Sequence, residues 1–176
     1  MELLSQILVY LVPGIIIFLT TYLVIRAFLD REQAIRLLEY RQANLRESLP
    51  VRLQAYERLT LFIERIALNN LLPRIRKAEM TVSDFRTALI SNIRMEYEHN
   101  LSQQIYVSND SWAMIRAAKE EIISMINQQS LELRPDASSI ELSKKIIGIL
   151  ADSEEETPGT KAINQLKKDV MLLYER

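Results

Sequence analysis

Apolar residues are distributed along this chain in three regimes. From Leu3 to Ile25 there are twenty-three residues without a charge, LLSQILVYLVPGIIIFLTTYLVI. As a helix rising about 1.5 Å per residue, the run is about 34 Å long, enough to cross a hydrocarbon core of about 30 Å. It predicts a transmembrane anchor over residues 1–29. Between residues 30 and 49 the apolar positions thin to a strip at heptad-like spacing: Ile35, Leu38, Leu45 and Leu49, with Gln42 between them. That strip predicts a juxtamembrane helix, either paired in a short parallel coiled coil or leaning on its own domain. Beyond Pro50 the spacing settles to three and four residues, as in helices with one buried face.

Ser48 can cap a helix and Pro50 is tolerated in a first turn, so the sequence predicts a break there and a new helix running to about Leu72. Tyr56, Leu59, Ile63 and Ile66 mark its core side, with Phe62 and Leu71 widening it; Asn69, Asn70 and Pro73 mark its end, unless Pro73 only kinks it. Thr81-Val82-Ser83-Asp84 is a helix start, and Phe85, Leu89, Ile93, Tyr97 and Leu101 follow at every fourth position. After a loop at Val107–Asp110, with Ser108 or Asp110 as cap, a helix over residues 111–129 carries Trp112, Ile115, Ala118, Ile122 and Ile126 on one face. Lys119, Glu120 and Glu121 fall on the other side. Short links make these two helices an antiparallel pair within a helical domain over residues 50–130.

Ser138-x-x-Glu141 is a capping-box pattern, opening a short helix within residues 131–151 with Ile140, Ile147 and Leu150 inward. Residues 152–160, DSEEETPGT, read as an acidic exposed linker. Thr157-Pro158 starts the last helix, whose body at residues 161–176 spaces Ile163, Leu166, Val170 and Leu173 to dock on the bundle or to pair with a second chain. The predicted fold class is all-α: one N-terminal transmembrane helix, a cytosolic helical bundle, and a separate C-terminal helix.

Composition agrees with that class. Only three glycines occur, and the five prolines lie between periodic segments apart from Pro13. A formal charge of −1 excludes nucleic acid as a main partner, because phosphate binding needs a basic face. The chain has no cysteine, which suits a cytosolic domain and leaves no site for a lipoprotein-type attachment. Glu2 alone precedes the apolar run, no small-residue cleavage triplet follows it, and the segment is expected to stay in the mature protein.

Residues 1–25 hold no Lys or Arg, whereas Arg26, Arg31, Arg36, Arg41 and Arg46 follow at once. The positive side stays cytoplasmic, so the N-terminus is expected outside a bacterial inner membrane and residues 26–176 inside. Five-residue spacing steps these arginines about 140° round the axis. They form a collar and not a face, with Arg26 and Arg31 at the lipid headgroups. Pro13 and Gly14 interrupt the middle of the span with a kink; Gly14, Thr20 and Thr21 form a packing face for another membrane helix, or Pro and Gly are here only because membrane helices carry them more often than soluble ones.

Candidate chemistry is sparse. Glu96-x-x-His99 is the spacing that helical di-metal sites use to set a carboxylate and an imidazole on one face. His99 is the only histidine, so such a site needs a dimer, with Glu64 or Glu121 as further ligands. Tyr97, Tyr106 and Trp112 sit at helical spacing that suits a core better than a ligand platform, and the acidic run Ser153–Glu156 suits a solvated linker. There is no phosphate loop, nucleophile elbow or thiolate. No cofactor is implied and no catalysis is expected. The expected role is binding other membrane or cytosolic proteins as a scaffolding or accessory subunit, with homo-oligomerisation open. The alternatives are a regulator binding anionic lipid through the collar and a dimeric metal-binding bundle.

The stretch EYEHNLSQQIYVSNDSWAMIRAAKE, Glu96 to Glu120, following the apolar N-terminus, resembles a family of uncharacterised bacterial single-pass membrane proteins, a domain of unknown function. The resemblance covers residues 1 to about 128, with the tail after Leu131 unshared, and it implies topology but no activity. A looser likeness is to the stalk (b) subunit of rotary ATP synthases, from which Pro50, Pro73 and Pro135 depart.

Overall fold

Helix α1 is Glu2–Ile66, α2 Leu68–Ile75, α3 Val82–His99, α4 Asn109–Leu131, α5 Ser139–Asp152 and α6 Pro158–Tyr174, with a 3₁₀ turn at Leu101–Ile105. This computed structural model describes residues 2–152 and 156–174, and only the backbone of 2–10, 12 and 41–46. The described residues are all-α, as the periodicity predicts. Chain contacts divide into two units, Met1–Ser48 and Leu49–Arg176.

In the first unit, Pro13–Tyr40 is long and apolar enough to cross a membrane, with a mean hydropathy of 1.6 and no part of its apolar window buried. Pro13 and Gly14 lie inside the helix, and a Cβ on Gly14 would meet nothing within 4 Å. The Thr20 hydroxyl donates to the carbonyls of Ile16 (2.9 Å) and Ile17 (3.0 Å), so its polar group is satisfied without a second helix. Arg36 pairs with Glu32 one turn earlier at 2.6 Å. Ile35 and Leu38 are exposed; the Leu45 side chain is outside the described residues.

The break expected at Ser48–Pro50 is absent, for the backbone is helical there. A proline in a helix interior forfeits a hydrogen bond and costs about 3 kcal/mol. The turns that follow it bury Ala55, Tyr56, Leu59, Phe62, Ile63 and Ile66, several side chains each contributing about 1.5–3 kcal/mol, which outweighs that cost.

The interruption falls instead at Ala67, whose backbone is extended (φ −55°, ψ 129°). Leaving the helix strands the last carbonyls of α1. Two side chains replace the lost donors: Asn70 Nδ2 donates to the Glu64 carbonyl (2.9 Å) and Arg74 Nη2 to the Arg65 carbonyl (3.0 Å). Pro73 sits inside α2 and does not end it.

Thr81 caps α3 in a reciprocal box with Asp84, as its sequence predicts. Phe85, Leu89 and Ile93 are fully buried, but the helix stops at His99 and Leu101 falls in the 3₁₀ turn, exposed. Asn100 turns its amide back onto the Glu96 carbonyl at 2.8 Å, a polar closure that competes with the four-residue repeat. Ser108 caps α4 by accepting from the Ser111 N–H (3.0 Å), and Ile115, Ala118, Ile122 and Ile126 are buried. Helix α4 packs against α3, α5 and α6.

The starts of α3 and α5 are joined backbone to backbone: Val82 N–H donates to Ala137 (2.8 Å) and Ser139 N–H to Met80 (3.0 Å). That junction sets the rotation of α5, and it turns the other of two apolar stripes inward. Leu142 and Ile146 are buried, whereas Ile140 and Ile147, expected inside, are 43% and 54% exposed. Leu150 is partly buried against the core. The C-terminal helix is not separate either. Ala162 and Leu166 of α6 join the common core, and α6 lies on α4. Of the predicted acidic linker, residues 153–155 lie outside the described residues, and α6 begins at Pro158, where Thr157-Pro158 predicts a helix start.

Candidate functional site

Helix α6 buries a row spaced four and three residues apart: Ala162, Leu166, then Asp169. A carboxylate on such a row must find donors or lose its charge. Asp169 is 8% exposed, and four side chains from three elements converge on it. Its Oδ2 accepts from Tyr56 of α1 (3.3 Å), from Ser111 of α4 (2.8 Å) and, in a close contact, from the capping residue Ser108. Its Oδ1 accepts from Gln165 Nε2, one turn back, at 3.2 Å. The group also stands at the N-terminus of α4, where backbone N–H dipoles favour negative charge.

Burial pushes the Asp169 carboxyl up, but the hydrogen bonds from Ser108, Ser111 and Tyr56 outweigh it and hold the group below its ordinary value. Burial and the Asp169 charge raise the Tyr56 phenol, with Arg52 opposing. At neutral pH the tyrosine is therefore a donor and the aspartate an acceptor. The cluster locks α6 to the start of α4 and to α1. The carboxylate that meets the Ser108 and Ser111 hydroxyls also accepts from Tyr56 and Gln165.

The helical spacing predicts Tyr56 in the core and Ser108 as a cap, but assigns no role to Asp169. Its signal was present: it stands three residues after Leu166 and four before Leu173, a charge on an apolar row.

A second feature is an apolar cleft of about 200 Å³ between the Ala67 break, α4 and the first turn of α6. Gly159 lies beside it, where an added Cβ would stand 3.2 Å from Ile63 Cγ2, so glycine permits the close approach of α6 to α1.

The residues predicted from E-x-x-H are not brought together as ligands. Glu96 forms an ion pair with Arg65 at 2.7 Å, and His99 is exposed at the end of α3. Among the described residues no three His, Cys, Asp or Glu side chains gather to hold a metal. Arg26 and Arg31 are exposed.

The aromatic residues form part of the packing. Tyr97 stacks on Trp112 with centroids 5.5 Å apart and meets Phe62 at 6.0 Å. Lys119, expected on the solvent side, instead lies over Tyr97, its ammonium 4.2 Å from the ring centroid and its side chain only 15% exposed. Lys119→Ala is accordingly expected to cost about 1 kcal/mol from the lost cation–π contact and stem packing, measured by urea denaturation. A change below about 0.3 kcal/mol would return Lys119 to the class of neutral surface sites.

No curated protein and no solved structure matches the chain. One family model does, from residue 2 to residue 173. That span includes the tail expected to be unshared, in keeping with the docking of α6 into the common core. With its N-terminal helix, its break at Ala67 and its docked last helix all inside the matched span, the chain belongs to a family of unknown function, DUF7935.

Proposed function

We propose that this chain is a membrane-anchored protein-interaction module, an accessory or scaffolding subunit of a bacterial inner-membrane complex. The N-terminus faces outward and residues 26–176 face the cytoplasm. The observation that carries this reading is the pairing in one chain of an apolar helix with no buried side chains and a helical unit that fills its own core. The first needs a lipid environment or another helix. The second presents outer faces and lacks an assembled nucleophile, base or metal set among the described residues.

The test is affinity purification of the full chain from native membranes in mild detergent, with mass spectrometry of what it carries. A membrane-protein partner in near-stoichiometric amount is expected; recovery of the chain alone across several detergents would remove the reading. Topology is checked separately. A reporter active only outside the cytoplasm should be silent when fused after Arg176, and its activity would reverse the orientation. Replacing Arg26, Arg31, Arg36, Arg41 and Arg46 with glutamine should loosen that orientation.

The exposure of Arg26 and Arg31 beside exposed Phe28 and Leu29 supports a second reading, binding of anionic lipid at the collar. It predicts that a fragment of residues 26–176 sediments with anionic liposomes and is released by salt. A fragment that ignores such liposomes would end it.

A further inference from the structure

The cleft beside Ala67 has features that a chance packing gap does not need. Its inner surface is apolar, from Ile63, Leu68, Ile122, Met125 and Ile163. It opens where α1 breaks at a residue that is neither glycine nor proline. Leaving the helix there requires two side chains, Asn70 and Arg74, to recap the stranded carbonyls. On its other side the first turn of α6 approaches Ile63 as closely as a glycine allows. The unit thus holds an opening next to a tight contact.

Among the described residues, Glu64 is the one ionisable residue of the lining. Among the described residues its carboxylate has no hydrogen-bond or ion-pair partner. The nearby guanidinium groups are engaged elsewhere: Arg65 pairs with Glu96 (2.7 Å), and Arg74 donates to the Arg65 carbonyl and to Asn92 (2.9 Å). An apolar pocket lined at its edge by an exposed glutamate is complementary to an apolar body that ends in a positive charge.

We propose that this cleft binds a small amphiphilic cation, an unbranched apolar chain ending in a protonated amine that pairs with Glu64. At about 30 Å³ per water-sized group, the volume takes about six or seven non-hydrogen atoms. It is smaller than the pockets of about 300–1,000 Å³ that hold drug-sized ligands. The site goes beyond the interaction role and stands without it, because neither a protein partner nor the anchor takes part in it.

The test uses the full chain in nanodiscs of neutral phosphatidylcholine, with isoleucine and methionine methyl groups labelled for NMR and n-hexylammonium as the probe. The Met125 and Ile163 methyl signals are expected to shift saturably, while those of Ile93 and Ile115, buried away from the cleft, stay in place. Hexanoate, of equal length and opposite charge, is expected to bind about tenfold more weakly or worse, a difference of about 1.4 kcal/mol. Glu64→Gln, an exposed substitution that leaves the core intact, should bring hexylammonium down to the level of hexanol. Absent or unsaturable shifts at Met125 and Ile163 would overturn the proposal. So would equal movement of Ile93, equal binding of hexanoate, or a Glu64→Gln protein that keeps its preference for the cation.

Discussion

Asp169→Ala is expected to lower the stability of the helical unit by about 2–4 kcal/mol and to free α6 from α4. The substitution removes the acceptor of three hydroxyl donors at once, and charge-assisted hydrogen bonds contribute about 1.5–3 kcal/mol each in favourable cases. The hydroxyls can rotate toward other acceptors, so the losses do not sum. Equilibrium denaturation gives the magnitude, and limited proteolysis within α6 shows whether its docking fails first. A variant within about 0.5 kcal/mol of the parent, with α6 still protected, would show that the apolar row of Ala162 and Leu166 holds the helix without the carboxylate.

The same group fixes a pH dependence. Because the folded Asp169 carboxyl lies below its unfolded value, its contribution is fully present above the ordinary carboxylate range. It is lost as pH falls below about 4 toward the folded value. The stability gap between the parent and Asp169→Asn should therefore be constant near neutrality and narrow in acid. A gap that widened as pH fell would contradict the hydrogen-bonded, charged state of this residue.

Ile93→Asp is expected to cost about 3–5 kcal/mol, enough to unfold a domain of ordinary stability. Ile93 is fully buried between Leu89 and Tyr97 on the inward face of α3. At a fully buried position of the apolar core, an aspartate is either charged out of reach of water or protonated at the expense of its pKa. Proteolysis of the full chain reads the effect, with the exposed neighbour Arg94→Gln as control, expected within about 0.5 kcal/mol. Equal resistance of the two variants would mean that α3 turns a different face to the core.

Local signals determined a large share of this structure. The spacing of Phe85, Leu89 and Ile93, and of Ile115, Ala118, Ile122 and Ile126, places the buried faces of α3 and α4 because helical period and apolar burial suffice for it. Thr81 with Asp84, and Ser108, start their helices as written, since a cap bonds to residues two or three positions away. The uncharged N-terminal run defines a candidate membrane span by length and composition alone. Tertiary structure decided the rest. Helix α5 carries two apolar stripes, and only its backbone junction with α3 selects Leu142 and Ile146 over Ile140 and Ile147. Pro50 stays helical because burial of the turns that follow it outweighs its local cost, while the helix breaks at Ala67, which is neither glycine nor proline. Asp169 reads as a flaw on an apolar row until Tyr56 meets it from 113 positions away. A periodic pattern states which side chains avoid water, but not which donors a distant helix brings to them, and that is settled by packing.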